Sequence, residues 1–125
     1  MANPSKQKGT KYETLIAEFF QRGFPFAERL PLQGTVDCGD IGGVHDLAVQ
    51  CKYIGTGRQD SLPSWVDVAR QQARNAGVRF GIVVHKRRGA AVAADQFVTM
   101  NLADFMRMYV EFVQLQHDAI TRRST

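Results

Sequence analysis

An aspartate ending one extended segment, and a glutamine and lysine two apart on the next, are the residues best placed to do chemistry. They stand in Gly39-Asp40-Ile41-Gly42-Gly43 and in Val49-Gln50-Cys51-Lys52. Cutting a phosphodiester needs a hydroxide in line with the leaving oxygen and positive charge on the crowded phosphate. A hard divalent cation supplies both and prefers oxygen ligands. Asp40 offers a carboxylate, Gln50 a side-chain amide oxygen and Cys51 its backbone carbonyl. Lys52 shares a strand face with Gln50, because side chains alternate along a strand. An ammonium there can orient the attacking water or neutralise the transition state. Glu13, on an opening helix, could reach the metal directly or through water. Mg²⁺ is the expected ion, with Mn²⁺ able to substitute.

Each residue also has a plainer role open to it. Asp40 could be a turn residue capping Gly42-Gly43, with Asp37 or Asp46 in its place. Lys52 could be one solvated lysine among sixteen basic residues, and Glu13 an exposed helix carboxylate. His45 reads as a hairpin-turn residue. A zinc site from Cys38, His45 and Cys51 has a spacing that matches no usual pattern.

The elements that must position these residues follow from periodicity. Tyr12, Leu15, Ile16, Phe19 and Phe20 predict an amphipathic helix over about 9–22, ended near Gly23. Residues 24–30 and 36–42 are expected to be strands around a turn at 31–34. In the strand expected over 46–53, Leu47, Val49, Cys51 and Tyr53 share the core face, while Asp46, Ala48, Gln50 and Lys52 share the other. After a polar loop, Ser64 is expected to cap a helix whose inner stripe is Trp65, Val68, Ala69, Gln72, Ala73 and Ala76, with Gly77 as its stop. Residues 80–85 form an apolar run suited to a strand covered on both sides. A basic turn at 86–89 leads to a last strand at 96–100, and Asn101 caps a final helix. The expected fold is α/β, a mixed central β-sheet flanked by helices in the order α-β-β-β-α-β-β-α. Residues 1–8 are expected to be a basic flexible arm, 9–117 one domain and 118–125 a tail.

The chain has 125 residues, 44% of them hydrophobic, enough for one core and too few for two. No apolar run approaches the roughly 18 residues that span a bilayer, and the polar start lacks a signal-peptide core. A cytoplasmic protein without membrane contact is expected, in the host cytoplasm if phage-encoded. The two cysteines suit a reducing compartment. A net charge of +4 favours a polyanionic partner. The basic residues cluster at Lys6/Lys8/Lys11, Lys52/Arg58, Arg70/Arg74 and Lys86/Arg87/Arg88, a spread that suits phosphate contacts rather than base reading.

Lys8-Gly9 with Glu13, then Gly39-Asp40-Ile41, then Gln50-Cys51-Lys52, resemble the PD-(D/E)xK nuclease superfamily. Within it they are most similar to the Holliday junction resolvases of archaeal type and their relatives in actinobacterial phages. The likeness runs from Lys8 to about Phe112, with the Trp65 helix and the Gly81-Ile82-Val83-Val84 strand in the family's order. It implies a restriction-endonuclease-like fold, a Mg²⁺-dependent endonuclease and a homodimer acting on branched DNA. A general nuclease on duplex DNA and a non-catalytic DNA-binding module are the alternatives. Two positions depart from the pattern: Gly39 replaces the family's proline, where it is expected only to shape the turn. Gln50 stands where the family usually has glutamate, which should weaken metal binding.

Overall fold

The chain is described from a computed structural model over residues 4–31, 36–53 and 61–124, without the side chain of Ser5. Helix α1 (Pro4–Phe20) starts at Pro4 rather than at residue 9. A proline is tolerated in a first helical turn because its missing N–H has no partner there anyway. Residues 4–8, expected to be a flexible arm, are helical, and Lys6 and Lys8 stand on that helix. Tyr12, Ile16 and Ala17 are its buried positions.

Strands β1 (Glu28–Arg29) and β2 (Ile41–Gly42) are two residues each, far shorter than the extended runs predicted. A turn in which the Ala27 N–H donates to the Phe24 carbonyl (2.9 Å) consumes the start of the first run. Gly39 (φ +106°) and Gly43 (φ +79°) bracket the second. Strand β3 (Leu47–Lys52) leads to helix α2 (Leu62–Ala76) and strand β4 (Phe80–His85). Helix α2 begins after Ser61 instead of Ser64, with Pro63 in its first turn and Gly77 left-handed at its end. Strand β5 (Phe97–Thr99) and helix α3 (Leu102–Arg123) complete the chain. The Asn101 side chain accepts from the Asp104 N–H and caps α3 as the sequence indicated, but the helix continues through the segment expected to be a tail.

The result is an α/β fold with one mixed five-stranded sheet in the order β1-β2-β3-β4-β5. Only β3 and β4 are parallel, joined by a crossover through α2, with Gln50 beside Val83 and Lys52 beside His85. Both central strands are covered on both faces. On one face Val49, Cys51, Ile82 and Val84 pack with Tyr12 and Ile16 of α1. On the other, α2 lies so close that a Cβ on Gly81 would stand 2.0 Å from the Ala69 carbonyl oxygen. That approach buries Gln72 over the sheet. Among the described residues no helix is long and apolar enough to cross a membrane.

Candidate active site

Asp40 bridges two strands before its side chain is considered. Its carbonyl accepts from Leu30 N–H and its own N–H donates to the Val49 carbonyl, both at 2.8 Å. The side chain reaches further along β3, where Oδ2 accepts from the Cys51 N–H at 2.7 Å. Burial pushes its pKa up, to about 6. The Cys51 N–H opposes that rise, Glu13 and Asp37 add to it, and the Lys52 charge counters it. A carboxyl so placed is short of positive charge.

Asp40, Glu13 and Gln50 line a single cleft of about 810 Å³ with Asp37, Arg29 and Lys6. The α1 side of the cleft follows helical spacing, through Lys6, Gly9, Thr10 and Glu13. Glu13 is not free, since its Oε2 accepts from Arg29 Nε at 3.1 Å. Gln50 is buried, and its Oε1 accepts from Gln72 Nε2. The same Gln72 nitrogen donates to Asp37 Oδ2 at 2.9 Å, and Asp37 Oδ1 accepts from the Gly39 N–H at 3.0 Å. Asn75 adds a bond to the Asp37 carbonyl at 2.8 Å. Helix α2 thus clamps the loop before Asp40 and fixes the Gln50 amide. Among the described residues the clamp leaves Gln72 Oε1 buried with no partner, at a cost of about 1–3 kcal/mol. The charge-assisted bond to Asp37 offsets a similar amount.

Lys52 lies outside the cleft lining, with its ammonium 5.8 Å from the Trp65 ring centroid on α2. It is near enough for its charge to act on Asp40. Cys51 is buried in the α1-facing core and burial pushes its thiol up, so it is no thiolate ligand. Its backbone groups face β2: the Val49 carbonyl bonds Asp40, while Lys52, one residue beyond Cys51, turns its carbonyl to Lys86 N–H. The Cys51 carbonyl therefore lies on the Asp40 side of β3. Asp46 is excluded as a substitute for Asp40, because both its oxygens bind Arg79 and hold the turn into β3. Among the described residues no three His, Cys, Asp or Glu side chains converge as a metal group. The candidate donors are instead two carboxylates, an amide oxygen and a carbonyl.

The basic residues separate into two kinds. Lys8, Lys11 and Lys86 surround a second hollow of about 310 Å³ with Tyr12, Tyr53 and Gln96, on the other flank of α1. The Lys86 ammonium also bonds the Arg87 and Ala90 carbonyls, bracing the basic turn, while Arg87 and Arg88 are exposed. Arg70 is a structural residue: its Nε and Nη2 donate to the buried Asp104 at 2.9 and 3.4 Å. It is spent on holding α3 and is not a free phosphate contact. Arg74 bonds Gln71 on its own helix. Arg58 lies outside the described residues.

Sequence reasoning missed Arg29, Gln72 and the clamping role of Asp37. Gln72 did carry a signal, as a polar residue in an otherwise apolar inner stripe. Comparison with protein-family models, with curated proteins and with solved structures gives no match to this chain.

Proposed function

We propose that this chain is a metal-dependent endonuclease that hydrolyses DNA phosphodiesters, with four-way junctions as its substrate. The carrying observation is the meeting of Asp40, Glu13 and Gln50 in one cleft, with Asp40 held short of positive charge by burial. All the donors are hard oxygens, which suits Mg²⁺ or Mn²⁺ and not a thiophilic ion. Asp40 Oδ1, Glu13, the Gln50 amide oxygen and the Cys51 carbonyl are the groups that would hold it. Bound there, such an ion acidifies water and neutralises charge on the phosphate. Lys52 stabilises the same developing charge or orients the water. Gln72 keeps the Gln50 amide in one orientation through its bond to Asp37. Lys6 at the cleft, and Lys8, Lys11 and Lys86 in the neighbouring hollow, supply contacts to the phosphate backbone.

Preference for four-way junctions rests on the resemblance to junction resolvases. The same cleft would serve a general or restriction-type nuclease. A non-catalytic DNA-binding module is favoured by one observation, the engagement of Glu13 by Arg29 and of the Gln50 oxygen by Gln72. Cleavage of matched four-way, flapped and linear DNAs in Mg²⁺ or Mn²⁺ separates these. The resolvase reading expects the four-way substrate to be cut first. Asp40→Asn and Lys52→Ala should each abolish cleavage while DNA binding survives. Binding with no cleavage by the wild type in either ion would leave the binding module.

A further inference from the structure

Helix α3 is mounted with its polar side inward. Asp104 is buried and takes hydrogen bonds from Arg70 and Arg107. Two turns on, Glu111 accepts from Arg79 at 2.7 and 3.2 Å, and Arg79 is anchored in turn on Asp46. Asp104 and Glu111 are seven residues apart and share one face of the helix. A surface helix normally turns its apolar stripe to the core and its charges to water. Here the opposite face holds Leu102, Met106, Tyr109, Val113 and Ile120, each between 40% and 75% exposed. Among the described residues no strand or helix covers that face.

The spacing of the exposed face says what kind of surface it fits. Leu102, Met106, Tyr109, Val113, Gln116 and Ile120 follow one another at intervals of four, three, four, three and four. That is a heptad seam, the pattern by which one helix packs against another. We propose that this seam is a homodimer interface, in which α3 packs antiparallel against α3 of a second copy. A two-fold axis passing at the level of Glu111 sets Leu102 against Ile120 of the second copy. The same axis sets Met106 against its Gln116 and Tyr109 against its Val113. Every seam position then meets a seam position, as an isologous contact requires. No charged residue lies in the seam, so two copies bring no like charges together there. Phe105 and Phe112 flank it, each about half exposed. The seven large apolar side chains of the seam and its flanks, at roughly 100 Å² of exposed area each, amount to about 700 Å² per copy. A stable interface needs about 800 Å² per partner. The interface is independent of whether the cleft cuts DNA.

Sedimentation of the full chain over a wide concentration range is the first test, and should show a species at twice the chain mass of 14.0 kDa. Tyr109→Glu with Val113→Glu should sediment as a monomer with its helical circular dichroism retained. A second measurement fixes the pairing without relying on that variant. When the Tyr109→Cys and Val113→Cys chains are mixed and oxidised, a disulfide should join one to the other. Neither should link to itself through the new cysteine. Self-linked Tyr109→Cys would overturn the antiparallel arrangement. A wild type that stays monomeric at every concentration would overturn the dimer and leave the seam for a different protein.

Discussion

Replacing Asp40 by asparagine should make the metal-free protein more stable while removing its activity. The buried carboxyl moves from 3.8 to about 6 on folding, chiefly by desolvation. At 1.36 kcal/mol per pH unit that is about 3 kcal/mol as an upper figure. Partial access to solvent reduces it to about 2 kcal/mol, or roughly 6–10 °C in Tm for a chain of this size. The sign follows from proton binding. Below pH 3.8 the carboxyl is protonated in both states and contributes nothing. Between 3.8 and 6 the folded state holds more protons than the unfolded one, so stability falls as pH rises, and above 6 the loss is constant. Asparagine removes that term, and its oxygen can still accept from the Cys51 N–H. Thermal unfolding of both proteins in chelator, from pH 4 to 8, should show curves that start close and separate to a plateau above pH 6. A gap that is constant across the range, or an asparagine variant less stable at pH 8, would refute the reasoning. Divalent cation added at pH 8 should raise the wild-type Tm and leave the variant unmoved.

Gln50→Glu should lower the metal concentration that half-saturates activity. One glutamate oxygen can keep the bond from Gln72 while the other adds a charge to the cleft, and equal titrations would mean that Gln50 is not a ligand. Arg70 and the α1 lysines should separate by assay. Lys8→Ala with Lys11→Ala should reduce the salt slope of DNA binding by about 2 with little change in Tm. Arg70→Ala should keep the slope and cost about 2 kcal/mol, read by urea unfolding. That is less than the ~3–5 kcal/mol of a fully buried pair, because Arg107 remains on Asp104 and the Arg70 side chain is 34% exposed.

The central strands were legible because their signal is local. The run 80–85 is strand to the residue, and the alternation through 46–53 places Cys51 in the core as expected. The Asn101 cap was readable for the same reason. The short outer strands were not, since the residues that end them do so through turn geometry and positive φ. The cleft was half legible: Glu13, Asp40 and Gln50 come together, as types and parity indicated. What escaped was the set of bonds between distant residues. Arg29 meets Glu13 across 16 positions, and Arg70 meets Asp104 across 34. Such pairs depend on how α1 and α2 seat on the sheet, which no window of sequence records.

Gly39 was expected only to shape a turn, yet its backbone sets how far this chain can drift in sequence. At φ +106°, with the Val49 carbonyl oxygen 3.0 Å from where a Cβ would stand, the position excludes proline, whose ring holds φ near −65°. Glycine and proline are therefore not interchangeable here, because the chain lies beside β3 with a positive φ at this position. Glycine can occupy either conformation, so it is the form from which both can be reached by small steps. Asp37 and Gln72 lock the positive-φ route, so a proline at position 39 would need the loop and the α2 clamp to change together. A proline there is thus not one substitution but a coupled change at positions 37, 39 and 72.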